Sequence, residues 1–212
     1  MSPFKNLVIS VCLLLLGPVI WPQNESGPTV KKEQIVTILF VGNSLTYTNN
    51  LPGLVKKRAK KLLGIKLRTD MIALPDYALS DHLAEGNIQK KINSGNYDFV
   101  IVQQGPSSRE SGKRMLFESM EILTGICDRN GSRLCLFMVW PSLSDYANFD
   151  KVIQNHQMVS KTTGAILCPV GKVWKDHIDQ SHDYGYYADD GFHPSLKGSL
   201  IAADVIVESL FK

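Results

Sequence analysis

Short apolar runs alternating with longer stretches of helical period are what most constrain this chain. Five runs stand out, at 34–41, 65–74, 98–103, 133–139 and 165–170. Segments with helical spacing separate or follow them, near 51–63, 79–93, 110–130, 145–163 and 194–211. A short run that is apolar at nearly every position suits a strand buried on both faces, and strands alternating with helices build a parallel sheet covered on both sides. The pattern therefore predicts an α/β protein with a five-stranded parallel sheet. At 212 residues and 44% hydrophobic content, the chain has material for one well-buried domain, expected over 34–212.

The N-terminal region reads differently. Residues 7–16 are apolar apart from Ser10 and Cys12, with Lys5 before them and Gly17-Pro18 after. This is the make-up of a secretory signal, expected over 1–22, and the run is too short for a membrane span. Residues 23–33 form a polar tether. The expectation is an exported protein, periplasmic or secreted, with no stable membrane insertion after processing. Cys12 follows Val11 rather than a small residue, which disfavours a lipid anchor. Export would leave Cys127, Cys135 and Cys168, an odd number, so buried thiols are expected rather than a disulfide framework.

Net charge is +3, or +2 without the leader, which points to no nucleic-acid partner. Lys56, Lys57, Arg58, Lys60 and Lys61 are expected as a solvated helix face opposite a buried stripe of Leu54, Val55, Leu62 and Leu63.

Chemistry concentrates in two distant motifs. Gly42-Asn43-Ser44-Leu45 closes the first apolar run, so Ser44 emerges where a buried strand ends, the edge at which open α/β sheets bind ligands. Asp190-Gly191-Phe192-His193-Pro194 precedes the last helix and supplies an imidazole with a carboxylate three residues before it. A serine hydroxyl attacks an ester only when an imidazole removes its proton and an anion fixes the imidazole tautomer. Asp189 is a rival carboxylate. No Gly-x-Ser-x-Gly is present, which argues against the nucleophile elbow of α/β-hydrolases.

On these two motifs, together with Ser195-Leu196-Lys197-Gly198 at the last helix start, the chain resembles the SGNH hydrolases, within the wider group of GDSL esterases and lipases. The resemblance spans most of 35–211. It implies a three-layer α/β/α, flavodoxin-like fold, Ser44 as nucleophile, His193 as general base and acid, and Asp190 as its orienting partner. It also implies an oxyanion hole made by the Ser44 N–H, a backbone N–H after the second strand, and an amide side chain after the third. Here the second-strand position falls on Asp76 where many members have glycine. The third block reads Gln103-Gln104-Gly105-Pro106-Ser107-Ser108 in place of Gly-x-Asn-Asp. Gln104 is the preferred amide donor, as in carbohydrate esterases of the superfamily that carry Gln before the glycine, and Ser107 is the alternative.

Asn43, Trp140 and Tyr187 are candidate substrate contacts, with Tyr184 and Tyr186 as further possible walls beside the acid-base pair, while Trp174 is expected in the core. His82 and His156 are expected as surface or internally satisfied residues. His177 and His182-Asp183 offer no established ligand geometry, so neither metal nor cofactor is expected. The combination predicts an exported serine esterase acting on short acyl groups, acetyl foremost, of a small-molecule or carbohydrate ester. A lipase, thioesterase or acyltransferase of the same fold, or a non-catalytic carbohydrate-binding protein, are the alternatives.

Overall fold

A computed structural model of the chain describes residues 35–212; the leader and tether expected over 1–33 lie outside them. Five parallel strands carry the architecture: β1 (Ile35–Gly42), β2 (Lys66–Ala73), β3 (Phe99–Val102), β4 (Arg133–Phe137) and β5 (Ile166–Cys168). Their order is 2-1-3-4-5, the flavodoxin-like arrangement, whose strand order reverses beside β1.

Alternating residues of each strand divide the core in two. Ile38, Phe40, Phe99, Ile101, Cys135 and Phe137 face one layer, while Leu39, Val41, Val100, Val102, Leu134 and Leu136 face the other. The first layer is closed by α2 (Leu51–Leu63), α7 (Val170–Ser181) and α8 (Leu196–Phe211). The second is closed by α3 (Leu79–Glu85), α4 (Asn87–Ser94) and α5 (Glu110–Arg129). α6 (Phe149–Thr163) contributes Phe149 to one and Val159 to the other. A four-residue helix, α1 (Ser44–Tyr47), follows β1 directly. Among the described residues no helix is long and apolar enough to cross a membrane.

Several elements differ from the sequence expectation for identifiable reasons. The helix expected at 79–93 is two helices, because Gly86 takes φ +72 and ends the first. The segment 145–163 begins with a 3₁₀ turn in which Asp145 departs from helical geometry, and the α-helix starts at Phe149. No helix is expected between 170 and 194, yet α7 spans Val170–Ser181; its buried stripe is Val170, Trp174 and Ile178, spaced by four. On α2 the buried stripe is Leu51, Val55 and Ala59, whereas Leu62 and Leu63 are 46% and 37% exposed. Arg58 is half-buried and paired with Asp204 of α8.

Cys127, Cys135 and Cys168 are buried and unbridged, and burial raises all three thiols well above their ordinary range. His156 on α6 is fully buried: its Nδ1–H donates to the Val152 carbonyl at 2.8 Å, and Nε2 has no partner. Burial draws this imidazole down from 6.5 to about 4. The unfolded chain therefore takes up a proton that the folded chain refuses. Stability is undiminished above pH 6.5 and falls as the pH drops toward 4. Urea unfolding should give a stability about 2 kcal/mol lower at pH 4.5 than at pH 7 from this residue alone. His156→Phe should remove that part of the slope; an unchanged slope in the variant would refute the assignment.

Candidate active site

β1 ends at Gly42 and the chain turns at once into α1, whose first residue is Ser44. Three neighbouring elements hold this turn. Gln103, just beyond β3, accepts the Asn43 N–H and the Thr46 hydroxyl on its Oε1, each at 2.9 Å. Asn43 caps α1 by accepting the Leu45 N–H at 3.1 Å, and its Nδ2 donates to the Tyr77 carbonyl at 3.1 Å, tying in the loop after β2. On α3, His82 is fully buried and its Nε2 donates to the Gly42 carbonyl at 2.7 Å. Glycine is required at 42, since a Cβ would lie 2.4 Å from both Gln103 Oε1 and Thr46 Oγ1. The Ser44 hydroxyl is thus aimed by packed elements rather than by a free loop.

The second motif folds back on itself. Asp190 Oδ1 accepts the N–H groups of Phe192 and His193, both at 2.9 Å, and Oδ2 accepts from His193 Nδ1 at 2.5 Å. The His193 side-chain bond, followed by the Phe192 N–H, lowers the Asp190 carboxyl to about 2. An ionised carboxylate keeps the imidazole proton on Nδ1, so Nε2 is left to accept. Ser44 Oγ lies 2.9 Å from that Nε2, across 149 residues of sequence. Asp189 makes no hydrogen bond or ion pair among the described residues. The triplet is therefore arranged for proton removal from a serine hydroxyl and for its later return to a leaving group.

Asp76, Gln104, Ser107 and Asn43 line one cavity of about 200 Å³. Asp76 adopts φ +61, the left-handed conformation that explains why a glycine suits this position and why Asp is among the residues that tolerate it. Its N–H makes no hydrogen bond among the described residues, and the Ser44 N–H, first of its helix, has no intrahelical acceptor. Gln104 accepts the Leu79 N–H on Oε1 at 3.1 Å and spends one amide hydrogen on the Gly112 carbonyl at 3.3 Å, leaving the second. The Ser107 hydroxyl donates to the Gly105 carbonyl at 2.9 Å and is already engaged.

Two substrate-contact expectations are corrected. Trp140 is fully buried, stacked on Trp174 at 3.5 Å between ring centroids, and its indole N–H donates to the Phe192 carbonyl. Tyr187 is 6% exposed and its hydroxyl donates to the Pro141 carbonyl at 2.8 Å. Both support the segment bearing His193 from within the core and offer no wall to a substrate. Asn43 lines the cavity while its amide also ties the turn, accepting the Leu45 N–H and donating one hydrogen to the Tyr77 carbonyl. Tyr186 is likewise buried, and Tyr184 is the exposed ring of that group at 47%. His177 stacks on Tyr186 and contacts Asp183, which also pairs with Lys197.

Gln103 and His82 are the site residues that sequence reasoning overlooked. Gln103 carried a usable signal: consecutive strand-end residues point to opposite faces, so the pair Gln103-Gln104 must address two different neighbours. His82 carried none, because the helix hides which carbonyl its ring meets.

No protein-family model matches the sequence, and no curated protein matches it. Solved structures do. A protein of Slackia heliotrinireducens assigned to the SGNH hydrolases is 22% identical, covers 84% of this chain and 100% of its own, and superposes with a TM-score of 0.69. The acetylxylan esterase Axe2 of Geobacillus stearothermophilus is 11% identical over 83% of this chain and 94% of its own, with a TM-score of 0.69. A lipase/acylhydrolase from Enterococcus faecalis is 17% identical over 82% and 95%, with a TM-score of 0.67. The chain has the fold that these SGNH and GDSL-like hydrolases share.

Proposed function

We propose that this protein is an exported serine esterase that removes short acyl groups, acetyl foremost, from small-molecule or carbohydrate esters. The observation that carries the reading is the hydrogen-bonded chain Ser44 Oγ, His193 Nε2, His193 Nδ1, Asp190 Oδ2, at 2.9 and 2.5 Å. His193 takes the Ser44 proton as Oγ attacks the ester carbonyl. The oxyanion is received by the N–H groups of Ser44 and Asp76 and the remaining amide hydrogen of Gln104. His193 returns the proton to the departing alcohol, leaving an acyl group on Ser44. Water, deprotonated by His193, then attacks the acyl carbonyl and frees the acid.

Asn43, the residue before the nucleophile, lines the cavity of about 200 Å³ together with Asp76 and Gln104, and a space of that size suits a short acyl group. The preference for a sugar alcohol rests on Gln104-Gly105 and on the acetylxylan esterase among the structural neighbours. Export rests on the apolar segment 7–16.

Two measurements test this. A fluorophosphonate should label Ser44 and no other serine, mapped by mass spectrometry; an adduct elsewhere would overturn the nucleophile. On p-nitrophenyl esters, kcat/KM should fall at least about tenfold from acetate to octanoate, the cost of a chain left outside its pocket. A rate that holds or rises with chain length would favour a lipase or thioesterase, and absence of both labelling and turnover a binding protein.

A further inference from the structure

Positive charge is gathered on one face of this protein. Seven of its 23 Lys and Arg residues fall within positions 56–68 with no acid among them, whereas the other 16 are set against 20 Asp and Glu across the rest of the chain. Those positions form most of α2 and the start of β2. Among the described residues, Asp204 neutralises Arg58, and Asp70, near Arg68, is already held by Lys91 and Tyr97. Lys56, Lys57, Lys60 and Lys61 are exposed and make no ion pair among the described residues.

Apolar surface is interleaved with the cations. Leu63 on the last turn of α2, three residues after Lys60 and seven after Lys56 and so on their side of the helix, is 37% exposed, and Ile35 is 54% exposed. A cavity of about 560 Å³ lies alongside, with Ile35, Ile65 and Leu67 among its apolar walls and Lys56, Lys60 and Arg68 among its charged ones. A soluble polyanion would satisfy the lysines and leave Leu63 and Ile35 in water. A surface that presents anionic groups over hydrocarbon satisfies both.

Position in the fold agrees. The cavity is lined by the first residues of β1 and β2, whereas Ser44 follows the last residue of β1, so the two lie at opposite ends of the sheet, more than about 20 Å apart. We propose that this face docks on an anionic phospholipid surface, with the lysines against headgroups and Leu63 and Ile35 at the acyl boundary, while the edge bearing Ser44 faces away.

The test is co-sedimentation of the full chain with vesicles of phosphatidylcholine, alone or with about a third phosphatidylglycerol. Binding is expected to the mixed vesicles only, and should be released as salt is raised to about 0.5 M. Lys56→Glu/Lys60→Glu should lower partitioning at least about 25-fold, about fivefold for each lysine. Leu63→Ser should weaken binding while keeping its salt dependence. Melting curves matching the parent exclude misfolding, because Lys56, Lys60 and Leu63 are all exposed. The leader is common to every variant, so binding that ignores lipid charge, or that survives the charge reversal, overturns the proposal. Tight binding of soluble polygalacturonate with none to vesicles would overturn it in favour of an acidic polysaccharide.

Discussion

Ser44→Ala is expected to lower kcat on p-nitrophenyl acetate by about 10⁴ to 10⁶-fold while leaving the fold intact. The side chain is small and its hydroxyl meets one partner, His193 Nε2 at 2.9 Å, so its loss empties no core position. What remains is substrate binding and the oxyanion donors, which by themselves accelerate hydrolysis about 10³ to 10⁴-fold over water. His193→Ala should cost about as much. The double variant discriminates further: two groups that share one proton act as a unit, so removing both should be scarcely worse than removing Ser44 alone. Multiplicative losses would mean that the two side chains work independently and that the hydrogen bond between them is incidental. Asp190→Asn probes the third member by a different route. It keeps the shape while presenting an amide to Nδ1, which favours the wrong tautomer and should cost about 10⁴ in kcat.

The sheet and its helices were legible in the sequence because the strands are buried on both faces. Phe99-Val100-Ile101-Val102 is apolar without interruption and all four residues are buried in the structure. Where the expectation erred, the local signal was ambiguous. Val170, Trp174 and Ile178 mark α7, but Lys172, Lys175, Asp176 and Asp179 between them form i,i+4 ion pairs that look like loop chemistry until the neighbours are known. The two motifs bearing Ser44 and His193 were readable because each carries its constraint locally, a strand end in one and a carboxylate three residues from an imidazole in the other. The supporting residues were not. Trp140 and Tyr187 sit near the catalytic motif and look like substrate walls, since an aromatic beside a site is equally suited to face inward or outward. Only the packing decides, and here Trp174 on α7 draws Trp140 into the core.

That packing leads to the second large expected effect, at Gly198 in the first turn of α8. A Cβ there would lie 2.3 Å from the Tyr186 carbonyl oxygen and 2.6 Å from Trp174 Cζ2. Neither neighbour can yield freely. The Tyr186 carbonyl accepts the Ser195 N–H at 2.8 Å, the Ala188 N–H donates to the His193 carbonyl at 2.8 Å, and Tyr187 pairs with Pro194, so the chain on either side of His193 is one bonded strip. Trp174 is stacked against Trp140, which in turn holds the Phe192 carbonyl. Gly198→Ala must therefore push either the strip or the tryptophan pair. Alanine's helix propensity opposes the loss by about 1 kcal/mol, and the clash should outweigh it, for a net destabilisation of about 2 kcal/mol and a Tm lower by about 4–8 °C. The same substitution at Gly125 on α5 is the control, since a Cβ there would meet only the flexible Arg129 guanidinium at 3.4 Å. Gly125→Ala should raise Tm by about 1–3 °C. Activity separates a general loss of stability from a displaced base. If the strip moves, kcat on p-nitrophenyl acetate falls well below Tm, with KM little changed, because His193 no longer reaches Ser44. A Gly198→Ala protein that melts and turns over like the parent would show that His193 is not held in place from this side.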